Sequence, residues 1–320
     1  METDSGEDDF ADAVRAGLTA GTKSLPCRFF YDELGSQIFE EICDLDEYYP
    51  TRTEHSILES CAEELTAMFP GRTSLVELGS GSSSKTRVLI ESFLARHGAL
   101  RYMPVDISRS ILEESAQSLL DDYEALEVIA IAAEYVHGLR RIKSHDAPSK
   151  LIVWLGSSIG NFELGEAATF LTRVRRAMGE HDRLLVGMDL AKNGDVLEAA
   201  YDDSKGVTAR FNKNILERIN RELGGHFDLE SFEHRATYSE AAGRVEIRLV
   251  STCAQDVAID ALGVKIAFEK GETIHTENSH KYRGEQIEQL IKAADLELER
   301  QWFDDDGLFS VNLLAPACSS

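Results

Sequence analysis

The chain has 320 residues, 43% of them hydrophobic, enough for one large domain or two coupled ones with a sizeable interior. Its 33 basic and 57 acidic residues leave a formal net charge of −24. A surface that negative repels phosphate backbones and anionic lipid heads, so neither a nucleic acid nor a membrane is expected as a partner.

The acidic start, METDSGEDDFADAV, lacks the basic and apolar stretches of a secretion signal. No later run approaches the roughly 18 apolar residues of a membrane span. A cytoplasmic location is expected. From about residue 54 to 191, apolar runs alternate with helical periodicity. Strands are expected at SLVELG (74–79), LRYMPVD (100–106), EVIAIAAEY (127–135), KLIVWLGS (150–157) and RLLVGMDL (183–190). Helices are expected at KTRVLIESFLARH (85–97), SRSILEESAQSLLDDY (108–123) and LGEAATFLTRVRRAM (164–178). Continuous apolar strands between amphipathic helices imply a parallel sheet covered on both faces.

The rhythm breaks at 192–281. A polar helical region, SKGVTARFNKNILERINREL, precedes strand-like pieces that include VEIRLVST (245–252) and VKIAFEKGETIHTENS (264–279). The second of these reads as a hairpin turning at Lys270-Gly271. A helix, GEQIEQLIKAADL, and an antiparallel pair, LELERQWF and LFSVNLLA, close the chain. An antiparallel pair closing a parallel sheet resembles the class I methyltransferase fold, whereas a dinucleotide-binding sheet is all parallel. The expected architecture is therefore α/β, a Rossmann-like core of 54–191 and 282–320. A second, α+β substrate domain is expected from 1–53 and 192–281.

Five cysteines (Cys27, Cys43, Cys61, Cys253 and Cys318) form no C-x-x-C pair. Reduced, mostly buried thiols are expected, not a disulfide framework or a cysteine zinc site. The nine histidines include no H-x-x-x-H helix, and no metal is expected.

Glu77-Leu78-Gly79-Ser80-Gly81 ends the first core strand, where glycines let the backbone turn and approach a ligand closely. This E-x-G-x-G form is shorter than the G-x-G-x-x-G of pyrophosphate sites and suits a cofactor without phosphates, such as S-adenosylmethionine. Asp106 ends the next strand, where a carboxylate can take ribose hydroxyls. Lys85, opening the next helix, can hold the methionine carboxylate. Each feature has a bland counterpart, a turn or a helix cap, and their order on consecutive strands is what favours the cofactor.

Six segments together carry a more specific resemblance: LPCRFFYDELGSQIFEEICDLDEYYPTRTE (25–54), VELGSGSSSKT (76–86), PVDIS (104–108), GSSIGNF (156–162), YDDSKGVTARFN (201–212) and TENSHKYR (276–283). Along nearly its whole length the chain resembles the histidine Nα-methyltransferases of ergothioneine biosynthesis. That family converts L-histidine to hercynine, its α-N,N,N-trimethyl betaine, using three S-adenosylmethionine molecules. The resemblance implies cofactor contacts at Gly79, Lys85 and Asp106, with Phe39 and the pair Glu134-Tyr135 flanking the methionine and adenine ends. The family more usually has Asp-Phe at that pair.

For histidine, the resemblance implies contacts at Tyr48, Asn161, Tyr201, Glu277 and Ser279, with Ile247 lining the imidazole pocket. Asn161 would bind the α-amino group and Tyr201 the α-carboxylate. Glu277 and Ser279 lie two apart on one strand face and would satisfy the two imidazole nitrogens. Tyr31 is the candidate for positioning the amine or relaying its proton. The expected partners are L-histidine and S-adenosylmethionine, and the chain is expected to act as a monomer. Rival readings are an enzyme of this fold acting on another amino acid, such as a tryptophan derivative, or a non-catalytic S-adenosylmethionine-binding module. The TENS segment argues against the first, since an indole needs no such pair. An amino-acid pocket argues against the second.

Overall fold

The computed structural model describes residues 6–145 and 147–317. The chain divides into two compact units, Met1–Tyr48 with Asn193–Ser279 and Tyr49–Lys192 with His280–Ser320. In chain order the first unit contributes α1 (Gly6–Thr19), β1 (Lys23–Ser24) and α2 (Glu33–Cys43). The other then supplies α3 (Tyr49–Ala67), β2 (Ser74–Leu78), α4 (Arg87–His97), β3 (Leu100–Asp106) and α5 (Arg109–Asp122). Two short strands follow, β4 (Leu126–Val128) and β5 (Ile131–Ala132), then α6 (Tyr135–Ser144), β6 (Lys150–Trp154), α7 (Leu164–Ala177) and β7 (Arg183–Asp189). The first unit resumes with α8 (Gly194–Tyr201), α9 (Val207–Leu223), β8 (Phe232–Ser239), β9 (Arg244–Ser251), β10 (Gln255–Ile259), β11 (Val264–Phe268) and β12 (Thr273–His280). Finally α10 (Gly284–Ala293), β13 (Leu296–Phe303) and β14 (Phe309–Pro316) complete the other unit.

That second unit is built on a sheet in the order β13-β14-β7-β6-β2-β3-β4. Strands β2, β3, β4, β6 and β7 are parallel, and β14 runs antiparallel to both β7 and β13. The apolar runs explain the two covered faces. Val76, Leu78, Ile152 and Trp154 point into one core with α6, α7 and α10 residues Leu139, Phe170 and Ile287. Their neighbours Leu75, Leu151 and Val153 point the other way, against Leu58, Phe93 and Leu119 of α3, α4 and α5. This is the Rossmann-like α/β core expected from the sequence, with its closing antiparallel pair. All its parallel strands end on one edge, which carries the glycine loop after β2, Asp106 and Asp189.

Two sequence expectations are corrected here. The run 127–135 is not one strand. Ile129 donates its N–H to Tyr102 O at 2.9 Å, the chain re-pairs with β3 at Ile131, and Tyr135 already begins α6 behind Glu134. Nor is 264–279 a hairpin. Strand β11 pairs with β10, while β12 lies between β1 and β9 in the sheet β1-β12-β9-β8. The turn at Gly271 is tied back to the end of β9, its N–H donating to Ser251 O at 2.8 Å. Alternating apolar residues mark a strand but do not name its partner.

The thiols also differ from expectation. Only Cys61 is buried among the four described cysteines, Cys27 and Cys43 are half-buried, and Cys253 is exposed in the β9–β10 connection. Cys318 and the first five residues of the acidic start lie outside the described residues. No described helix is long and apolar enough to cross a membrane.

Candidate functional site

The glycine loop is shaped from both sides. Gly79 has φ +71°, and a Cβ there would come within 2.6 Å of Tyr135 Oη, so any other residue would be both strained and blocked. Gly79 N donates to Val105 O at 2.8 Å, and Gly81 N donates to Asp106 Oδ2 at 2.9 Å. Asp106 Oδ1 accepts from Ser108 N at 2.8 Å. Burial pushes the Asp106 carboxyl up, against the pull of these backbone N–H groups. Below the loop, Glu77 accepts from Thr86 Oγ1 at 2.6 Å and from Tyr102 Oη. Burial raises Glu77 to about 7, and those two hydrogen bonds offset only part of the rise.

Lys85 follows the loop and pairs with Glu54, a carboxylate fully buried in α3. Glu54 also accepts the Gly156 N–H at 2.8 and 2.9 Å. Lys85 is thus anchored to the β6 end before any ligand arrives. Ser80 Oγ is buried and without a partner among the described residues. A buried unpaired hydroxyl beside exposed glycine backbone is what a polar ligand would satisfy, so the loop fits a cofactor approaching its backbone.

Glu134 is exposed at the N-terminus of α6. Tyr135 packs its ring edge-on to Trp154 at 5.9 Å and tilted on Phe170 at 5.5 Å, with its hydroxyl turned to Gly79. Asn161 ends a 3-10 turn, Ser158–Asn161, directly after β6. It therefore belongs to the same unit as the glycine loop. The other histidine candidates belong to the first unit.

In that first unit an aromatic chain forms. Tyr31 and Phe39 meet edge-on at 5.5 Å, Phe39 and Tyr48 at 6.3 Å, and Tyr48 and Tyr201 at 5.9 Å. Phe39, expected among the cofactor contacts, sits between the two tyrosines expected to serve histidine. Burial raises the Tyr48 phenol well above its ordinary value, helped by nearby Tyr201, Cys43, Tyr31 and Glu277. It is a neutral hydroxyl at any physiological pH.

The N-terminal motif explains why Tyr31 stands there. Asp32 Oδ1 caps α2 by accepting Gly35 N at 2.7 Å, and Asn214 Nδ2 donates to the same oxygen at 2.7 Å. A Cβ at Gly35 would lie 1.7 Å from Phe30 O. The aromatic segment can therefore fold back on α2 only over a glycine. Tyr201 ends α8, and its carbonyl accepts the His234 Nε2–H at 2.8 Å, while Asn212 Nδ2 lies 2.9 Å from His234 Nδ1. Burial holds His234 below its ordinary value, so the ring is neutral and its Nδ1 accepts.

Strand β12 supplies the last members. Ser279 Oγ lies 2.8 Å from Tyr201 Oη. Glu277 is half-buried two residues before, and buried Ile247 stands on β9, whose carbonyl accepts Thr276 Oγ1 at 3.1 Å. The structure thus brings Tyr31, Phe39, Tyr48, Tyr201, Glu277 and Ser279 together.

Sequence reasoning missed several supporting groups. They are Glu54 behind Lys85, His234 behind Tyr201, and a buried set of Tyr49, Asp189, Lys192 and Lys281. Asp203, inside the YDDSKG motif, accepts from Lys205, Val207 and Thr208 N–H groups and caps α9. An aspartate just ahead of an amphipathic helix is the signal for that cap. The others carry no local signal.

A family profile described as histidine-specific methyltransferase, SAM-dependent, matches residues 10–316. The chain is 39% identical over 313 residues to the histidine N-alpha-methyltransferase of Mycolicibacterium smegmatis, covering 98% of this chain and 97% of that protein. It is 40% identical over 302 residues to the protein of the same name from Mycobacterium tuberculosis, covering 94% and 93%. Ergothioneine biosynthesis protein 1 of Neurospora crassa is 31% identical over 288 residues, which are 88% of this chain and 32% of that longer protein. With a core, loop and family match running together over almost its whole length, the chain belongs to the histidine-specific, S-adenosylmethionine-dependent methyltransferase family.

Proposed function

We propose that the protein methylates the α-amino group of L-histidine three times to give hercynine, in ergothioneine biosynthesis. The observation that carries this reading is the grouping of Tyr48, Tyr201 and Ser279 with Glu277 in one unit. A carboxylate and a hydroxyl two residues apart on β12 match the two nitrogens of an imidazole, one as donor and one as acceptor. The names of the mycobacterial relatives support the same substrate.

S-adenosylmethionine, when bound, supplies a methyl already activated on a sulfonium, so the protein's work is alignment and electrostatics. Gly79 and Gly81 offer backbone to this cosubstrate and Asp106 its carboxylate to the ribose. Lys85, oriented by Glu54, addresses the methionine carboxylate, and Glu134-Tyr135 and Phe39 border the remainder. Asn161 accepts or donates at the α-amine, and Tyr201 takes the α-carboxylate. Tyr31 positions the amine and relays its proton. Each methyl removes an N–H donor, so hydrogen bonds alone lose their grip as the series advances. The faces of Tyr31 and Tyr48 attract methylated ammonium by cation–π interaction and retain the intermediates. No metal is part of this mechanism, and the protein acts as a cytoplasmic monomer with no nucleic acid or membrane partner.

The division of labour follows the two units: 49–192 with 280–320 for the cosubstrate, and 1–48 with 193–279 for most histidine contacts. The test is incubation with S-adenosylmethionine and a mixture of the common amino acids, followed by mass spectrometry. The reading requires histidine to gain one, two and finally three methyls. Methylation of a different amino acid alone, or of none, overturns it.

A further inference from the structure

Backbone passes between the units at three places, Tyr48–Tyr49, Lys192–Asn193 and Ser279–His280. Within the methyltransferase core, residues next to all three places converge on one buried carboxylate. Asp189, the last residue of β7 and fully buried, accepts from Tyr49 Oη at 2.7 and 2.8 Å. It accepts from Lys281 Nζ at 2.7 Å and from Lys192 Nζ. Lys192 Nζ also lies 2.6 Å from Tyr49 Oη and 4.4 Å over the Tyr49 ring. Backbone bonds reinforce the arrangement: Tyr282 N donates to Asp189 O at 2.8 Å and Ala191 N to Tyr282 O at 2.9 Å.

Such a cluster is not explained by stability. Buried ion pairs of this kind are often no more stabilising than apolar residues of the same volume, and in some proteins they specify one arrangement of the chain. What they specify here is visible in the chain order. Tyr49 is bonded directly to Tyr48, and Lys281 follows Ser279 by two residues, so two of the ties adjoin residues assigned to histidine.

We propose that Asp189 is a positioning residue for methyl transfer, binding the three crossover segments to the carboxyl edge of the sheet so that Tyr48 and Ser279 are held in place. The proposal rests on the histidine reading for its kinetic consequence, but not for its structural one. Burial pushes the Asp189 carboxyl up, and Lys281 and Lys192 outweigh that and keep it below its ordinary value, ionised as the ties require.

The experiment compares the full-length protein with Tyr49→Phe, which removes one hydroxyl at constant volume, and with Asp189→Asn. Hydrogen exchange should rise about tenfold in peptides 44–52, 188–196 and 274–284, with 74–106 unchanged. The KM for histidine should rise about tenfold, while the affinity for S-adenosylmethionine alone stays within about twofold. Unchanged exchange at the crossovers overturns the proposal, as does a rise spread evenly over the core, or an unchanged histidine KM. If Asp189→Asn does not fold, Tyr49→Phe decides alone. Should the unaltered protein leave histidine unmethylated, the functional reading fails, and the exchange pattern still judges the ties.

Discussion

Tyr201 Oη and Ser279 Oγ stand 2.8 Å apart, although 78 positions separate them in the chain. One ends α8 and the other nears the end of β12, so the hydroxyl pair exists only because the helix is set against that sheet. His234 on β8 donates from Nε2 to the Tyr201 carbonyl at 2.8 Å and so ties the end of α8 to that strand. Under the proposed function this corner of the first unit recognises histidine, and its substitution should change histidine use before cosubstrate binding.

Glu277→Ala should lower kcat/KM for histidine about a hundredfold, roughly 2–3 kcal/mol, because the imidazole N–H loses a charged acceptor. Binding of S-adenosylmethionine should change by less than about twofold. Calorimetric titration with each ligand separately distinguishes a lost substrate contact from general damage, which would weaken both.

Replacing Tyr31 and Tyr48 together by leucine should stall the series. The first methyl still transfers, since histidine keeps Glu277 and Ser279. The cationic intermediates lose the ring faces, worth about 0.5–2 kcal/mol each, and escape. Mono- and dimethylhistidine should accumulate in a single-turnover time course read by mass spectrometry. Complete conversion to the trimethyl product at the normal rate would remove the tyrosines from this role.

Gly35→Ala should destabilise the fold by about 2–4 kcal/mol, because the added methyl would sit on the Phe30 carbonyl and force the segment bearing Tyr31 away from α2. Thermal unfolding checks the loss. Gly284→Ala, where a Cβ meets nothing within 4 Å, serves as the neutral comparison.

Glu77 makes stability pH-dependent in a defined window. Its folded value is raised to about 7 from 4.5, so between those pH values the folded protein holds a proton that the unfolded chain has released. Stability should therefore fall as pH rises from about 4.5 to 7, by roughly 3 kcal/mol from this group. Glu77→Gln cannot release that proton, and its unfolding free energy, measured by urea titration at pH 5 and 7, should lack this component of the decline.

The core was legible in the sequence because its signals are local. Runs such as SLVEL and KLIVW place apolar residues on both faces and are buried at every position, as a sheet covered on both sides requires. Helices α4, α5 and α7 begin and end within two residues of their expected bounds. The stretch 127–135 reads as one strand because its β-rich composition hides a step in pairing, and 264–279 reads as a hairpin because alternation is silent about partners. The histidine residues came from resemblance, and no pattern in TENS or YDDSK by itself speaks of imidazole.

By itself, then, the sequence determined the parallel core, the glycine loop with its neighbouring acid, and the family. Each of these is written in residues close together along the chain, where strand period, turn geometry and capping act directly. Only the tertiary structure decided that Glu54 secures Lys85, that Phe39 stands between Tyr31 and Tyr48, and that Asp189 gathers Tyr49, Lys192 and Lys281. A carboxylate's role depends on which cations and hydroxyls burial brings to it. Partners as far apart in the chain as Tyr49 and Asp189 are brought together only by the tertiary fold.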